Sequence, residues 1–389
     1  MRLKSICLLG LPLVWGLSIG HAAAQTTPEA RAAAQTARAA RQQGDAQAEL
    51  APPEVMLEIW RVPMKRPYAV DDAEMIRVGI EQELSAPGER SSMRRAAGFR
   101  AQAAKAEGEV RARALALRLA HAQVDHAFAQ RSHQVHVAHH QLSQKTLELA
   151  RARYAAGGSL ADVSALEVET ARAAALVAAD EARVQTSQAL LQALRGAGTL
   201  EPVRERPELA SLRSARDAEL AEAHAEHARS RWPDPRIGVS YFAPSGEMTE
   251  HGFGISLGMK LPWLWGGRAS SQQVAESRSR ALGQELAARK RDIALEVIAA
   301  RGAGAAVQSE LAVLRERVLP ATLRARKLAE GAYRSGQGRL EDVLRAEAQQ
   351  VETEMQIVEL ETELAHHNAD LDFALGRKTS RPAHPEKKP

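Results

Sequence analysis

The stretch RYAAGGSLADV at residues 153–163, followed by Glu167, decides the fold because it occurs twice in the chain. Half a chain later, the stretch YRSGQGRLEDV occupies residues 333–343 and is followed by Glu347. Tyrosine, glycine, leucine, aspartate-valine and glutamate recur in the same order, with one residue inserted in the second copy. Self-similarity of this kind indicates a repeated structural unit.

Each copy of the motif lies between two long segments that are rich in alanine, glutamate, arginine and leucine. The glycines interrupt the helical pattern, and Ser159 is suited to cap the helix that follows. Asp162 would then lie in the first turn of that helix, where a negative charge is favourable. The motif is therefore predicted to form the turn of a helical hairpin, present twice.

Composition limits the class of protein. The 389 residues are 45% hydrophobic and 26% charged, but only 4% are aromatic, which is typical of long helices. The formal net charge is only +4, and no basic patch is interleaved with aromatics, which argues against a nucleic-acid partner. No glycine-rich phosphate loop, nucleophile elbow or zinc-protease motif is present, which argues against an enzyme and against a bound cofactor.

Residues 1–24 have the features of a secretory signal peptide. Arg2 and Lys4 form its basic start, the apolar run extends over residues 6–19, and small residues follow at 22–24. The single cysteine, Cys7, lies inside this segment. No later stretch is expected to reach the ~20 apolar residues of a membrane helix, so any crossing of a membrane would use strands.

The rest of the chain reads as two tandem repeats, each a β-hairpin followed by a long α-helical hairpin. The predicted fold class is mainly α with a small β part, and Pro320 is expected to kink or break its helix. The predicted segments are a flexible lead-in at 25–51, a first repeat at 52–200 (strands about 54–84, helical hairpin 89–195, tip near 154–162), a second repeat at 201–376 (helix 208–231, strands about 235–261, helical hairpin 268–375, tip near 333–342), and a disordered basic tail at 377–389.

The strand segments alternate large apolar residues with small or polar ones, most clearly at residues 253–261. Four strands cannot close into a barrel, and open sheet edges are not tolerated in lipid, whereas three copies would supply about twelve strands. Trp60, Trp263 and Trp265 lie on or beside the strands, which suits aromatic residues at a bilayer interface. The alternative is that these tryptophans fill an ordinary core where sheet meets helix.

The twice-repeated turn, the proline-rich entry to each strand pair and the strand exit at residues 261–268 resemble the TolC-like outer-membrane efflux channels. The resemblance covers nearly the whole mature chain. The family that it points to includes heavy-metal exporters of the CzcC/CusC type. It implies a homotrimer in the outer membrane of a Gram-negative bacterium. Its strands would form one shared β-barrel among the outer-membrane lipids, and its helices would continue as a periplasmic α-barrel. The partners it implies are a periplasmic adaptor, or membrane fusion protein, and an inner-membrane pump.

In that family the glycine turns are the periplasmic tips, where the adaptor docks and the tunnel narrows. The second tip departs from many members in having glutamate after Arg339-Leu340, and the first tip has no arginine there, so adaptor specificity is expected to differ. The tip residues carried over by position are Gly157, Gly158, Ser159, Leu160, Asp162, Gly336, Gly338, Arg339, Leu340 and Asp342.

Asp162 and Asp342 suggest a gate. Three copies of each would ring a narrow opening, and carboxylate rings repel one another and favour cations. Arg339 would pair with these aspartates and hold the aperture shut. The alternative is that both aspartates only stabilise a helix N-terminus.

Histidines crowd one helix, and His133, His136 and His140 share a face of it. Neutral imidazole binds zinc, copper, nickel and cobalt, which favours heavy-metal cations as the exported substrate. The alternatives are a solvated helix face with no metal site and a channel for drugs or other organic compounds. A periplasmic coiled-coil adaptor is a further alternative, but it would have one helical hairpin nested between β-domains.

Overall fold

The computed structural model describes residues 28–60, 75–194, 203–244, 250–261 and 269–377. The predicted signal peptide, nearly all of the predicted tail, Trp263 and Trp265 lie outside these residues, as does the side chain of Trp60. The chain divides into two compact units, which are described separately. One contains Val110–Arg206 and Arg291–Pro389, and the other contains Arg31–Glu109 and Pro207–Lys290.

Helices dominate the described residues, and four strands form the β part, so the prediction of a mainly helical chain with a small β part is confirmed. In chain order the elements are α1 (Pro28–Gln47), β1 (Glu54–Trp60), β2 (Met75–Glu83), α2 (Glu89–Ala155), α3 (Leu160–Ala193), α4 (Pro207–Arg231), β3 (Asp234–Pro244), β4 (Gly252–Lys260), α5 (Ala269–Val313), a π-helical segment (Leu314–Val318), α6 (Leu319–Arg334) and α7 (Leu340–Ala374).

The four strands form one antiparallel sheet in the order β1-β2-β3-β4. Val55 of β1 is opposite Ile80 of β2, which is opposite Val239 of β3, which is opposite Ile255 of β4. Since side chains alternate between the faces of a strand, this register aligns the apolar residues of all four strands on one face.

The segment predicted to be a flexible lead-in is instead largely helical, because α1 covers residues 28–47. It packs closely on the start of α2. A Cβ atom on Gly44 would lie 1.9 Å from the Cβ of Ala97, and one on Gly108 would lie 2.3 Å from the Cβ of Ala33. Large apolar residues are sparse in this segment, whereas glycine and alanine allow two helix backbones to approach closely.

The helix around Pro320 continues instead of breaking. The π-helical segment Leu314–Val318 directly precedes the proline, and Pro320 stands in the first turn of α6. Proline has no backbone N–H, so an α-helix would lose one of its hydrogen bonds there. The wider π turn before the proline uses a different hydrogen-bond spacing, which lets the helix continue.

One further difference concerns hydropathy. Among the described residues, the helical run Ser270–Arg334 contains one window that is long and apolar enough, by composition, to cross a membrane. The sequence analysis did not expect such a stretch, because alanine and glycine supply most of residues 299–306. Only 11% of that window is buried in the single chain.

Candidate functional site: the helical tips and the sheet faces

The first tip is the turn between α2 and α3. Gly157 has a φ of +95°, a conformation that L side chains rarely adopt. The N–H of Gly158 donates to the carbonyl of Arg153 at 2.8 Å, and a Cβ on Gly158 would lie 2.9 Å from that oxygen. Ser159 caps α3, since its hydroxyl accepts from the N–H of Ala161 at 3.2 Å. Both glycines are therefore required by the geometry of the turn.

The second tip joins α6 to α7 and closes in a similar way. Gly336 has a φ of +82°, and the N–H of Gly338 donates to the carbonyl of Ala332 at 2.9 Å. A Cβ on Gly338 would lie 2.9 Å from the Cβ of Ala332. Arg339 occupies the cap position of α7 but makes no side-chain capping bond. The second tip thus keeps the glycines and loses the serine cap.

Apolar side chains bring the two tips together within one unit. The cluster lies directly behind the turns, so each tip helps to fix the position of the other. Its buried members are Leu147, Ala150, Val163, Leu166, Tyr333, Leu340 and Val343, with Leu149, Ala329 and Leu344 packed against them.

Tyr333 makes the polar contact between the tips. Its hydroxyl donates to the Oδ2 atom of Asp162 at 2.9 Å, and burial, together with this carboxylate, raises the pKa of the phenol. The Nη1 atom of Arg153 donates to the carbonyl of Tyr333 at 2.9 Å, and the guanidinium lies 4.1 Å from the centroid of the ring. The sequence analysis singled out Asp162 but missed Arg153, which stands next to the repeated tyrosine.

Asp342 and Arg339 lie at the surface of the second tip. Within the described part of this single chain, no hydrogen bond or ion pair is recorded for either side chain, so Arg339 pairs with neither aspartate. The predicted pairing would therefore have to be made with another copy. Leu160 is exposed and Leu340 is buried, although both follow the glycine turns at the same place in the motif.

Behind the tips, α2 carries a buried polar stripe that includes Ser132, His136, Ser143 and Thr146. The Oγ1 atom of Thr146 donates to Glu347 at 2.8 Å. Burial raises the pKa of this carboxyl, and among the described residues its second oxygen has no hydrogen-bond partner.

Asp180 of α3 is the other buried acid on this stripe. Its Oδ2 atom accepts from Ser132 at 2.8 Å and lies 2.6 Å from the Nδ1 atom of His136, while Arg183 contacts the Oδ1 atom at 3.1 Å. Burial alone would raise the pKa of Asp180, but the hydrogen bonds from His136 and Ser132 lower it overall. Asp180 follows Leu166 and Ala173 at heptad spacing, a signal that could have identified it as a buried acid.

Three of the six histidines of α2 contact side chains of other helices. His136 is held by Asp180, the Nε2 atom of His121 lies 2.9 Å from Asp370, and the Nδ1 atom of His126 lies 2.9 Å from Ser187. The described residues contain no group of three or more histidine, cysteine, aspartate or glutamate side chains arranged to hold a metal ion. His133 and His140 do not join His136 in such a group.

In the other unit, one face of the sheet exposes large apolar side chains on every strand. This face is a continuous apolar surface in the single chain, far from the scattered exposure that is ordinary for a protein in water. Its exposed residues are Val55, Leu57, Ile59, Val78, Ile80, Ile237, Val239, Phe253, Ile255, Leu257 and Met259.

The opposite face of the sheet is polar and carries small residues such as Gly79, Ser240 and Ser256. Ion pairs cross its strands. Glu58 meets Arg77 at 3.1 Å, Arg236 meets Glu83 at 3.3 Å, and Lys260 meets Glu83 at 3.2 Å. Glu58 of β1, opposite Arg77 of β2, belongs to this polar face.

Comparison with known proteins agrees with this architecture. Residues 203–377, from just before α4 to the end of α7, match the family model described as outer membrane efflux protein. No curated protein sequence matches the chain.

Solved structures match over nearly the whole length. The outer-membrane protein VceC of Vibrio cholerae is similar with a TM-score of 0.72 and 19% identity, covering 92% of this chain and 95% of its own. CusC, whose structures concern folding and transmembrane channel formation, gives a TM-score of 0.73 at 16% identity, covering 92% and 91%. The MtrE outer-membrane channel of Neisseria gonorrhoeae gives 0.66 at 18%, covering 91% and 87%. The chain therefore has the fold of these outer-membrane channel proteins.

Proposed function

We propose that this protein is a non-enzymatic outer-membrane channel subunit of a tripartite efflux system and a member of the outer membrane efflux protein family. The observation that carries the proposal is the sheet with one exposed, predominantly apolar face and one polar face. A sheet in water buries its apolar face, whereas a sheet in lipid turns that face outward. The family match over residues 203–377 and the fold shared with outer-membrane channels support the same conclusion.

Closure of the sheet requires other copies. Among the described residues of one chain, the order β1-β2-β3-β4 leaves β1 and β4 with unpaired edges. Unpaired backbone groups cost several kcal/mol each in lipid. Pairing β1 of one copy with β4 of the next removes both edges, and three copies give about twelve strands, within the range of outer-membrane barrels. The two halves would be repeats of one unit, each supplying a hairpin to the barrel and a helical hairpin to a periplasmic α-barrel.

The tips would be the periplasmic end of the channel. There the exposed residues Ser159, Leu160 and Arg339 are available to an adaptor, which would connect the channel to an inner-membrane pump. Asp162 and Asp342 of three copies would form the carboxylate rings of the gate, and Asp342 is the more exposed of the two. Charge neutralisation in Asp342→Ala is expected to raise the resting conductance of the channel in a planar bilayer, and unchanged conductance would contradict the gate.

The proposed cargo is heavy-metal cations, supported by the number of imidazoles on α2. The engagement of His136 by Asp180 leaves His133 and His140 as the side chains for weak, passing contacts with metal. Such contacts would suit a channel, since tight binding would retain the cargo.

A deletion strain tests function and cargo together. We expect the deletion strain to become sensitive to zinc, cobalt, cadmium, copper or nickel. The wild-type gene and a His136→Gln variant should both restore resistance. The His133→Ala/His140→Ala variant should restore less of it. Sensitivity confined to dyes and antibiotics would replace metal cargo with organic compounds. Two results together would contradict the channel itself. The deletion strain would be as resistant as wild type to every compound, and the wild-type strain would have none of this protein in its outer-membrane fraction.

A further inference from the structure

The two tips have matching sequences but different surroundings. Tyr333 of the second tip is 1% exposed, whereas Tyr154, its counterpart in the first tip, is 48% exposed. Leu340 is 7% exposed, whereas its counterpart Leu160 is 58% exposed. The tyrosine and the leucine are therefore buried in the second tip and open in the first.

The residues that contact this tyrosine and leucine show the opposite difference in exposure. Leu149 of the first tip packs against the apolar cluster, whereas its counterpart Leu328, which also precedes its tyrosine by five residues, is 75% exposed. Asp162 of the first tip accepts the hydroxyl of Tyr333. Its counterpart Asp342 is exposed, and no hydrogen bond is recorded for it among the described residues of this chain.

These exposed residues are the counterparts of the residues that meet within the chain. Within the chain, Leu149 and Asp162 of the first tip lie in the contact with Tyr333 and Leu340 of the second tip. The second tip also has an exposed leucine and an exposed aspartate, Leu328 and Asp342. The first tip has the exposed tyrosine and leucine, Tyr154 and Leu160, that would fit them.

We propose that the second tip of one copy packs against the first tip of the next copy, with the hydroxyl of Tyr154 donating to the carboxylate of Asp342. The contact repeats between copies the one that Tyr333 and Asp162 make within a copy. It rests on the proposed function, because that function requires several copies around one channel. The occupant of this surface is thus a second copy of the chain.

The contact between copies lacks one stabilising group. Arg153, which clamps the carbonyl and ring of Tyr333, precedes Tyr154, whereas the residue that precedes Tyr333 is Ala332. The repeated contact therefore has alanine where the contact within the chain has arginine. A guanidinium over an aromatic ring is stabilising, so the seam between copies is the weaker one and separates first when the tip opens.

Chemical cross-linking in the membrane tests the contact. Cys7 is the only cysteine and lies in the predicted signal peptide, so paired substitutions supply the reactive thiols. The Tyr154→Cys/Asp342→Cys variant, treated with a short bismaleimide, is expected to give covalent dimers and trimers. The matched control, Tyr333→Cys/Asp162→Cys, is expected to cross-link within the chain and to keep the mass of one chain.

Two results would overturn the proposal in distinguishable ways. If wild-type protein is oligomeric in lipid but Tyr154→Cys/Asp342→Cys gives no covalent oligomer, the tip contact is wrong while the proposed function stands. If wild-type protein is a monomer in lipid, the proposed function fails as well.

Conservative variants test the hydrogen bond without a reagent. Tyr154→Phe and Asp342→Asn each remove it, and each is expected to raise the resting conductance of the channel severalfold. The double variant should give no further increase, because both changes remove the same bond. Additive increases in conductance would contradict the bond. It would also be contradicted if both single variants and the double variant assemble as oligomers and conduct like wild type.

Discussion

The sheet and the helical hairpins distribute their side chains in opposite ways. The sheet exposes its largest apolar residues, such as Phe253 and Ile255, and collects its ion pairs on the other face. The helices bury an apolar cluster behind the tips, together with polar residues that include Asp180 and Glu347. This distribution is the one expected if, as proposed, the sheet faces lipid and the helices face water and one another.

Energies support this interpretation of the difference. Exposed apolar surface costs about 25 cal/mol per Å² in water, so an apolar face spread over four strands would strongly favour aggregation of the free chain. The buried acids of the helices, in contrast, carry hydrogen bonds from Ser132, His136 and Thr146. The two regions therefore differ in the surroundings that favour them.

The largest expected effect comes from charging the apolar face of the sheet. Leu57 and Met56 are consecutive residues of β1 on opposite faces. Leu57→Lys would put an ammonium group in lipid and should cost about 2–4 kcal/mol near the bilayer midplane. We expect this variant to be lost from the outer-membrane fraction in immunoblots of separated membranes.

The matched change, Met56→Lys, puts the same charge on the polar face and should leave membrane assembly near the wild-type level. Equal assembly of the two variants would contradict the assignment of the faces. Loss of both variants from the outer membrane would mean that β1 tolerates a lysine on neither face. The same pair of changes would then be made on β4.

The next effect concerns the buried acid of the helical region. Asp180→Ala removes the acceptor of Ser132 and His136, which leaves buried polar groups unpaired and should cost about 1–3 kcal/mol. Urea unfolding followed by circular dichroism measures this loss. Glu181→Ala, at the exposed neighbouring position, should change the free energy of unfolding by less than about 0.5 kcal/mol.

The smallest effect separates two glutamates at equivalent positions of the repeated motif. Burial raises the pKa of Glu347 above its ordinary value of 4.5, so the folded chain keeps a proton that the unfolded chain releases first. Stability is therefore lost as the pH rises from about 4.5 through the raised pKa. Glu347→Gln should melt above wild type at neutral pH, and this advantage should disappear near pH 4.5.

Glu167→Gln is the control, because Glu167 is exposed and only pairs with Arg151 at the surface. Its melting temperature should follow that of wild type at every pH, since exposed ion pairs contribute little. A pH-independent difference between Glu347→Gln and wild type would show that the carboxyl does not titrate in this range.

The mainly helical fold and the β part could be predicted because their signals are periodic in sequence. Alternation at residues 253–261 and the glycines of the repeated turn need no knowledge of distant contacts. The helix α1 was missed because its packing depends on Gly44 and Ala33, whose contribution is the absence of a side chain.

The candidate site was predicted in part. Position in the motif identified Asp162, but nothing local distinguishes it from Asp342, because their difference comes from Tyr333 in a distant part of the chain. Asp180 was missed for the same reason, since its partners Ser132 and His136 lie on another helix. The roles of the histidines likewise depended on which residues the neighbouring helices present.

The central claim is that the apolar face of the sheet contacts lipid, and single cysteines along β4 test it most directly. Each variant carries a bimane label, and quenching by brominated lipid is measured in reconstituted membranes. The account predicts strong quenching at Ile255→Cys and Leu257→Cys and weak quenching at Ser256→Cys between them, a period of two. Equal quenching at all three positions, or quenching at none, would contradict it.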